Sequence, residues 1–172
     1  MHYVSWDRTD RDAPKLLAEA GPEVLAEFTH ESARFDDEVW ELTSTPEAGA
    51  VATNSAGREV VRVEGSLKRD KQLTAYVEGQ PYAIVGETSK NFIIDDPAGN
   101  KVGQFTTDHN GVRRAILEFE GETTLPRTHV VALAWASRLI LESRKMLNTT
   151  ALIGFLVFLS VFIILVWFIG PQ

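Results

Sequence analysis

Residues Ala151 to Ile169 read ALIGFLVFLSVFIILVWFI. The run carries no charge, and Gly154 and Ser160 are its only small or polar interruptions. Roughly 20 apolar residues at about 1.5 Å each span the ~30 Å hydrocarbon core of a bilayer. The stretch therefore predicts a transmembrane helix, with only Gly170, Pro171 and Gln172 after it. On that reading residues 149–172 are a C-terminal membrane anchor, and a domain of about 150 residues precedes it.

The flanks set the expected orientation. Arg138, Arg144 and Lys145 lie before the run and nothing basic lies after it. Positive charge stays on the cytoplasmic side. The expectation is thus a single-pass, tail-anchored protein of the inner membrane with a cytoplasmic N-terminal domain. Trp167 fits an aromatic anchor at the interface, and Arg144 and Lys145 fit contacts with headgroups. The first residues, MHYVSWD, show no basic n-region and no apolar h-region, so no secretory signal is read there. The chain has no cysteine, which removes disulfides, thiolate nucleophiles and cysteine-ligated metals from consideration.

The net charge of −7 is unevenly spread. Residues 1–48 hold 12 acidic and 4 basic side chains, whereas 49–148 hold 12 and 13. An acidic segment of this kind argues against nucleic acid as a partner and suits docking to a basic surface. Within residues 1–37, Asp12-Ala13-Pro14 reads as a helix start. Leu16, Leu17 and Ala20 follow at helical spacing, Gly21-Pro22 interrupts, and Val24, Leu25 and Phe28 continue. The segment is expected to be partly helical. Tyr3 and Trp6 near its start are candidate partner contacts.

Residues 38–127 change texture. Eight short β-rich runs alternate with turns: 38–44, 49–53, 58–64, 72–78, 82–87, 91–95, 101–107 and 112–120. Asp96-Pro97-Ala98-Gly99-Asn100 is a strong turn and Asn110-Gly111 a hairpin signal. The spacing predicts an antiparallel β-meander, curled into an open sheet or barrel. Residues 128–148 then read as a helix apolar over most of its circumference. Arg138, Glu142 and Lys145 fall on one narrow stripe of it. The expected fold class is α+β and membrane-anchored, with the meander packed on this hydrophobic helix, which leads into the span.

The stretch NFIIDDPAGNKVGQF (Asn91–Phe105) and the apolar helix at Val130–Leu141 carry a resemblance. Hairpins with Asp-x-x-Gly turns closing around a hydrophobic C-terminal helix resemble the tubby C-terminal-like superfamily. That group includes phospholipid-scramblase-like and LURP-one-related proteins. The likeness covers about residues 38–147 and implies a twelve-stranded barrel and contact with phospholipid. Eight strands in 38–127 fall short of that number, and scramblase-type cysteine clusters are absent.

No motif announces chemistry. His2, His30, His109 and His129 show no metal-ligand spacing, and no phosphate-cradling glycine loop or nucleophile elbow occurs. Glu118 and Glu120 share a strand face, as solvated carboxylates do. No catalytic residue, cofactor or metal is assigned. The basic stretch Lys68-Arg69-Asp70-Lys71 is a candidate contact with lipid headgroups. Phe155, Phe158 and Phe162 are candidate contacts with a partner's groove.

These features lead to an expected function. The chain reads as a non-catalytic accessory or assembly subunit of a larger bacterial membrane complex. Architecture similar to the one-span accessory subunits of respiratory supercomplexes makes that setting the expected one. Its partners are then an integral membrane complex, through the C-terminal helix, and phospholipid. The alternative is a scramblase-like lipid-binding protein.

Overall fold

The computed structural model describes the backbone of residues 1–88, 90–106 and 116–169. It describes the side chains of these residues except 116, 146–151, 166, 168 and 169. Twelve strands come first: β1 (Tyr3–Asp7), β2 (Lys15–Ala18), β3 (Val24–Phe28), β4 (Ser32–Phe35), β5 (Glu38–Thr45) and β6 (Gly49–Asn54). Then follow β7 (Glu59–Glu64), β8 (Gln72–Val77), β9 (Gln80–Gly86), β10 (Asn91–Asp95), β11 (Lys101–Thr106) and β12 (Ile116–Phe119). Among the described residues one helix, α1 (Arg127–Ile169), follows.

Each strand pairs antiparallel with its neighbour in sequence. β1 also pairs with β12, through Tyr3 with Glu118 and Val4 with Leu117, and so closes a barrel. Closure satisfies the backbone groups that an open sheet leaves exposed at its edges. The eight segments expected between residues 38 and 120 each overlap one of β5 to β12. Asn110-Gly111 and the residues before Ile116 lie outside the described residues.

The expected fold class is corrected in three ways. First, residues 1–37 contribute no helix but the four strands β1 to β4. Leu16, Val24, Leu25 and Phe28 fit a helical spacing, but in runs this short two periods fit equally well. The deciding pattern is alternation: Val4 and Trp6 are buried between half-buried Tyr3, Ser5 and Asp7. Ala33 and Phe35 are likewise buried, with Arg34 between them exposed. Gly21 takes φ +93° in the turn between β2 and β3, and its N–H bonds to the carbonyl of Ala18. These four strands carry the count from eight to twelve.

Second, α1 does not lie on a sheet but runs through the barrel. Val130 to Ala136 are seven consecutive buried residues, none more than 4 % exposed. Seven successive residues make about two turns, so this part of the helix is covered on every side. A helix fits inside because barrel width grows with strand number. Alanine at 132, 134 and 136 on the helix, and at 33, 50, 52 and 75 on the wall, keeps the two surfaces close. α1 is one helix of 43 residues and runs on across 148/149.

Third, the membrane anchor is withdrawn. Among the described residues, no helix is long and apolar enough to cross a membrane. A single-pass inner-membrane location with a cytoplasmic domain is therefore not supported. Neither are tail-anchoring and the respiratory-chain setting built upon it.

Candidate functional site

Because the strands alternate in direction, the barrel has two rims. α1 enters at the rim that holds the turns between β2 and β3, β4 and β5, and β8 and β9. It leaves at the rim that holds the turns between β1 and β2, β5 and β6, and β7 and β8.

The entrance is pinned by polar contacts. Arg127 makes two ion pairs at 2.8 Å, with Glu23 of the β2–β3 turn and Asp36 of the β4–β5 turn. Two residues further on, His129 is 6 % exposed. Its Nδ1 lies 2.7 Å from the hydroxyl of fully buried Tyr82 on β9. Gln80 Nε2 donates to the same hydroxyl at 3.0 Å, which leaves the phenol proton for His129. His129 Nε2 faces the Glu78 carboxylate at 3.5 Å. Glu78 and Gly79 both take positive φ, +50° and +85°, as a two-residue hairpin turn requires. Burial pushes the Tyr82 phenol up, with a smaller push from Asp96.

Inside, the helix fills the barrel. Trp6 is 3 % exposed, edge-on to Phe28 at 4.8 Å, and the Arg138 guanidinium sits over its ring at 4.8 Å. Trp6 is therefore a core residue and not the partner contact expected. Arg138 also donates to Glu142 at 3.0 Å, and Glu142 accepts from Arg8 as well. Arg8 precedes β2, so this triad ties the N-terminal strands to the helix as it nears the exit.

At the exit rim Arg144 lies over Phe92, 4.7 Å from the ring centroid, and donates to the carbonyl of Asp70 at 2.5 Å. Phe92 in turn stacks on Phe105 at 4.8 Å. Desolvation lowers the Arg144 pKa, partly offset by Asp70. Asp70 sits within the basic stretch, so the structure brings Arg144 to Lys68, Arg69 and Lys71. Lys68 is paired with Glu47 at 2.5 Å, whereas Arg69, Lys71 and Lys145 are exposed.

Beyond the rim α1 is apolar and uncovered. Leu152 to Leu165 are all exposed, at every angle around the helix axis. Phe155, Phe158 and Phe162 are 59 %, 67 % and 54 % exposed, and Trp167 is 80 % exposed. The three phenylalanines and Trp167 thus lie on one continuous apolar surface. Tyr3 is separate from it: it is half-buried on β1, next to the entrance rim.

Among the described residues no group of three His, Asp or Glu side chains is placed to hold a metal. Glu118 and Glu120 point outwards, Glu118 bonded to Gln104 and Glu120 paired with Lys101. His2 and His30 are exposed, and His109 lies outside the described residues. Sequence reasoning missed the group of Tyr82, His129 and Glu78. Only barrel register brings β9 to the helix start, and no spacing along the chain encodes it. No family model matches the chain, and the searches of curated proteins and of solved structures each found no match.

Proposed function

We propose that this protein is a non-catalytic accessory subunit that delivers one half of α1 to a larger protein assembly. The observation that carries this reading is the contrast along a single helix. Val130 to Ala136 are enclosed by the barrel, while Leu152 to Leu165 are apolar and exposed all round. An uncovered apolar surface of this kind marks an interaction site. A barrel that grips one half of the helix holds the other half in a fixed direction, which lowers the ordering cost of binding. A cleft between helices of a partner can cover a helix on all sides, as the barrel covers the first half.

Twelve strands around a helix is the architecture that the resemblance to the tubby C-terminal-like superfamily implies. A fold of this kind does not by itself carry a function. The accessory-subunit reading rests instead on the exposed helix.

The test is co-purification of the full-length chain in mild detergent, beside the triple variant Phe155→Gln, Phe158→Gln and Phe162→Gln. A protein that accompanies the wild type in fixed stoichiometry and is lost from the variant supports the reading. The variant must keep the wild-type unfolding transition of the barrel, since none of the three side chains lies inside it. Recovery of the wild type without any protein in fixed ratio overturns the reading.

A further inference from the structure

We infer that the exposed half of α1 is the missing helix of a partner's bundle, in which at least three helices of an α-helical protein enclose Leu152 to Leu165 with dry, apolar side chains. The inference rests on the accessory-subunit reading and names the class of protein that covers the helix.

A second copy of this chain does not fit the surface. Helices pack with their axes about 8–10 Å apart. α1 runs through the barrel, so its axis is ringed first by its own side chains and then by the wall. The side chains alone reach about 5 Å from the axis, and the wall holds two barrels side by side about 20 Å apart or more, axis to axis. Copies pointing the same way therefore cannot bring their exposed halves together where α1 leaves the barrel. An antiparallel pair avoids this clash, and area decides against it. Leu152 to Leu165, taken as a cylinder about 10 Å across rising about 1.5 Å per residue, presents roughly 650 Å². A pair touching along one stripe about 100° wide buries roughly 400 Å² in all, whereas a stable interface takes about 1,200–2,000 Å². Enclosure on every side buries roughly 1,300 Å² counting both partners, which reaches that range.

Two observations make the enclosing elements helices. A vacant place between helices leaves no backbone group unpaired, whereas a gap in a sheet exposes its edges. Phe155, Phe158, Phe162 and Leu165 recur at steps of three, four and three, the spacing of a seam between helices. One neighbour covers a stripe about 100° wide, so full cover takes at least three. The lining is dry because the run asks for no hydrogen bond. Its one polar side chain, Ser160, already donates to the carbonyl of Leu156 at 2.8 Å.

The experiment uses the full-length protein in its co-purified complex. Photo-reactive benzoylphenylalanine is placed at 156, 157, 158 and 159, one at a time, which samples four directions about 100° apart around the helix. Expected are adducts from all four positions with one partner, mapping to at least three separate helical segments of it. No adduct is expected with a second, differently tagged copy of this chain. Val157→Gln, Phe158→Gln and Leu159→Gln should each weaken partner binding by roughly tenfold, because each carries an amide into an apolar lining. Adducts from one side only, or a loss confined to Phe158→Gln, overturn the inference alone while the partner stays in fixed ratio. Adducts with the tagged second copy overturn it in favour of self-association. Absence of any partner in fixed ratio removes the accessory-subunit reading, and the inference with it. A further arm irradiates the same four variants with phosphatidylcholine vesicles. Lipid adducts there from all four positions, with no protein adduct in the complex, overturn the inference in favour of a lipid surface.

Discussion

The Tyr82 hydroxyl sits 2.7 Å from Nδ1 of His129, and both groups are shut away from water between β9 and the start of α1. This bond links the barrel wall to the helix it encloses. Tyr82→Phe removes the partner and leaves a buried ring nitrogen unsatisfied. The expected cost is about 1–3 kcal/mol. Denaturant unfolding measures it, and a double-mutant cycle with His129→Phe should return coupling between the two residues. Additive losses would show that the bond does not join helix to wall.

The two halves of α1 should respond differently to truncation. Leu133 is fully buried inside the barrel, so Leu133→Ala should destabilise by about 2–5 kcal/mol. Phe158→Ala deletes a larger side chain that is 67 % exposed. It should leave the stability of the isolated chain within about 0.5 kcal/mol. Thermal or urea unfolding of both variants separates the enclosed half from the exposed one.

Gly49 opens β6 at φ +109°, and a Cβ built there would lie 2.0 Å from the carbonyl oxygen of Val63. Backbone cannot move aside as a side-chain tip can. Gly49→Ala should therefore lower stability by well over the ~1 kcal/mol of an ordinary left-handed glycine replacement. The control is Gly57→Ala, where φ is +73° but no atom lies within 4 Å.

The turn between β10 and β11 should weaken in acid. Asp96 accepts from the backbone N–H of Asn100 at 2.8 Å and of Ala98 at 2.9 Å, and from the Asn100 side chain. The Asn100 backbone bond contributes most to holding the carboxyl below its usual value. A carboxyl whose folded pKa is depressed stabilises fully above its unfolded value, about 3.9, and less as pH falls through the folded one. The stability gap between wild type and Asp96→Ala should be constant near neutrality and shrink as pH falls below about 4. Urea midpoints across that range measure it.

Much of the wall was legible in the sequence and much of the plan was not. REVVRVE is rich in β-branched valine between charged residues, and Asp96 to Asn100 is a turn by composition, so β7, β10 and β11 follow from local chemistry. Leu16 to Phe28 also fits a helical spacing, and strands of four or five residues are too short for either period to prevail. What decides them is closure, because β1 finds β12 more than a hundred residues away. The apolar character of 129–145 was plain, but only closure shows that the barrel surrounds it. Trp6 was misread for the same reason: an aromatic near a terminus looks available until Phe28 and Arg138 are seen to cover it. The exposed phenylalanines were legible because they lie in a long run without a charge. The meeting of Arg144 with the 68–71 loop was not, since no local spacing joins residues 74 positions apart.

The most direct test of the central claim places a photo-reactive benzoylphenylalanine at Phe155, Phe158 or Phe162, one at a time, in cells. Phe92, inside the barrel, serves as the control. The account predicts that all three exposed positions form covalent adducts with one and the same partner protein, while position 92 gives none. No protein adduct from 155, 158 or 162 would contradict it.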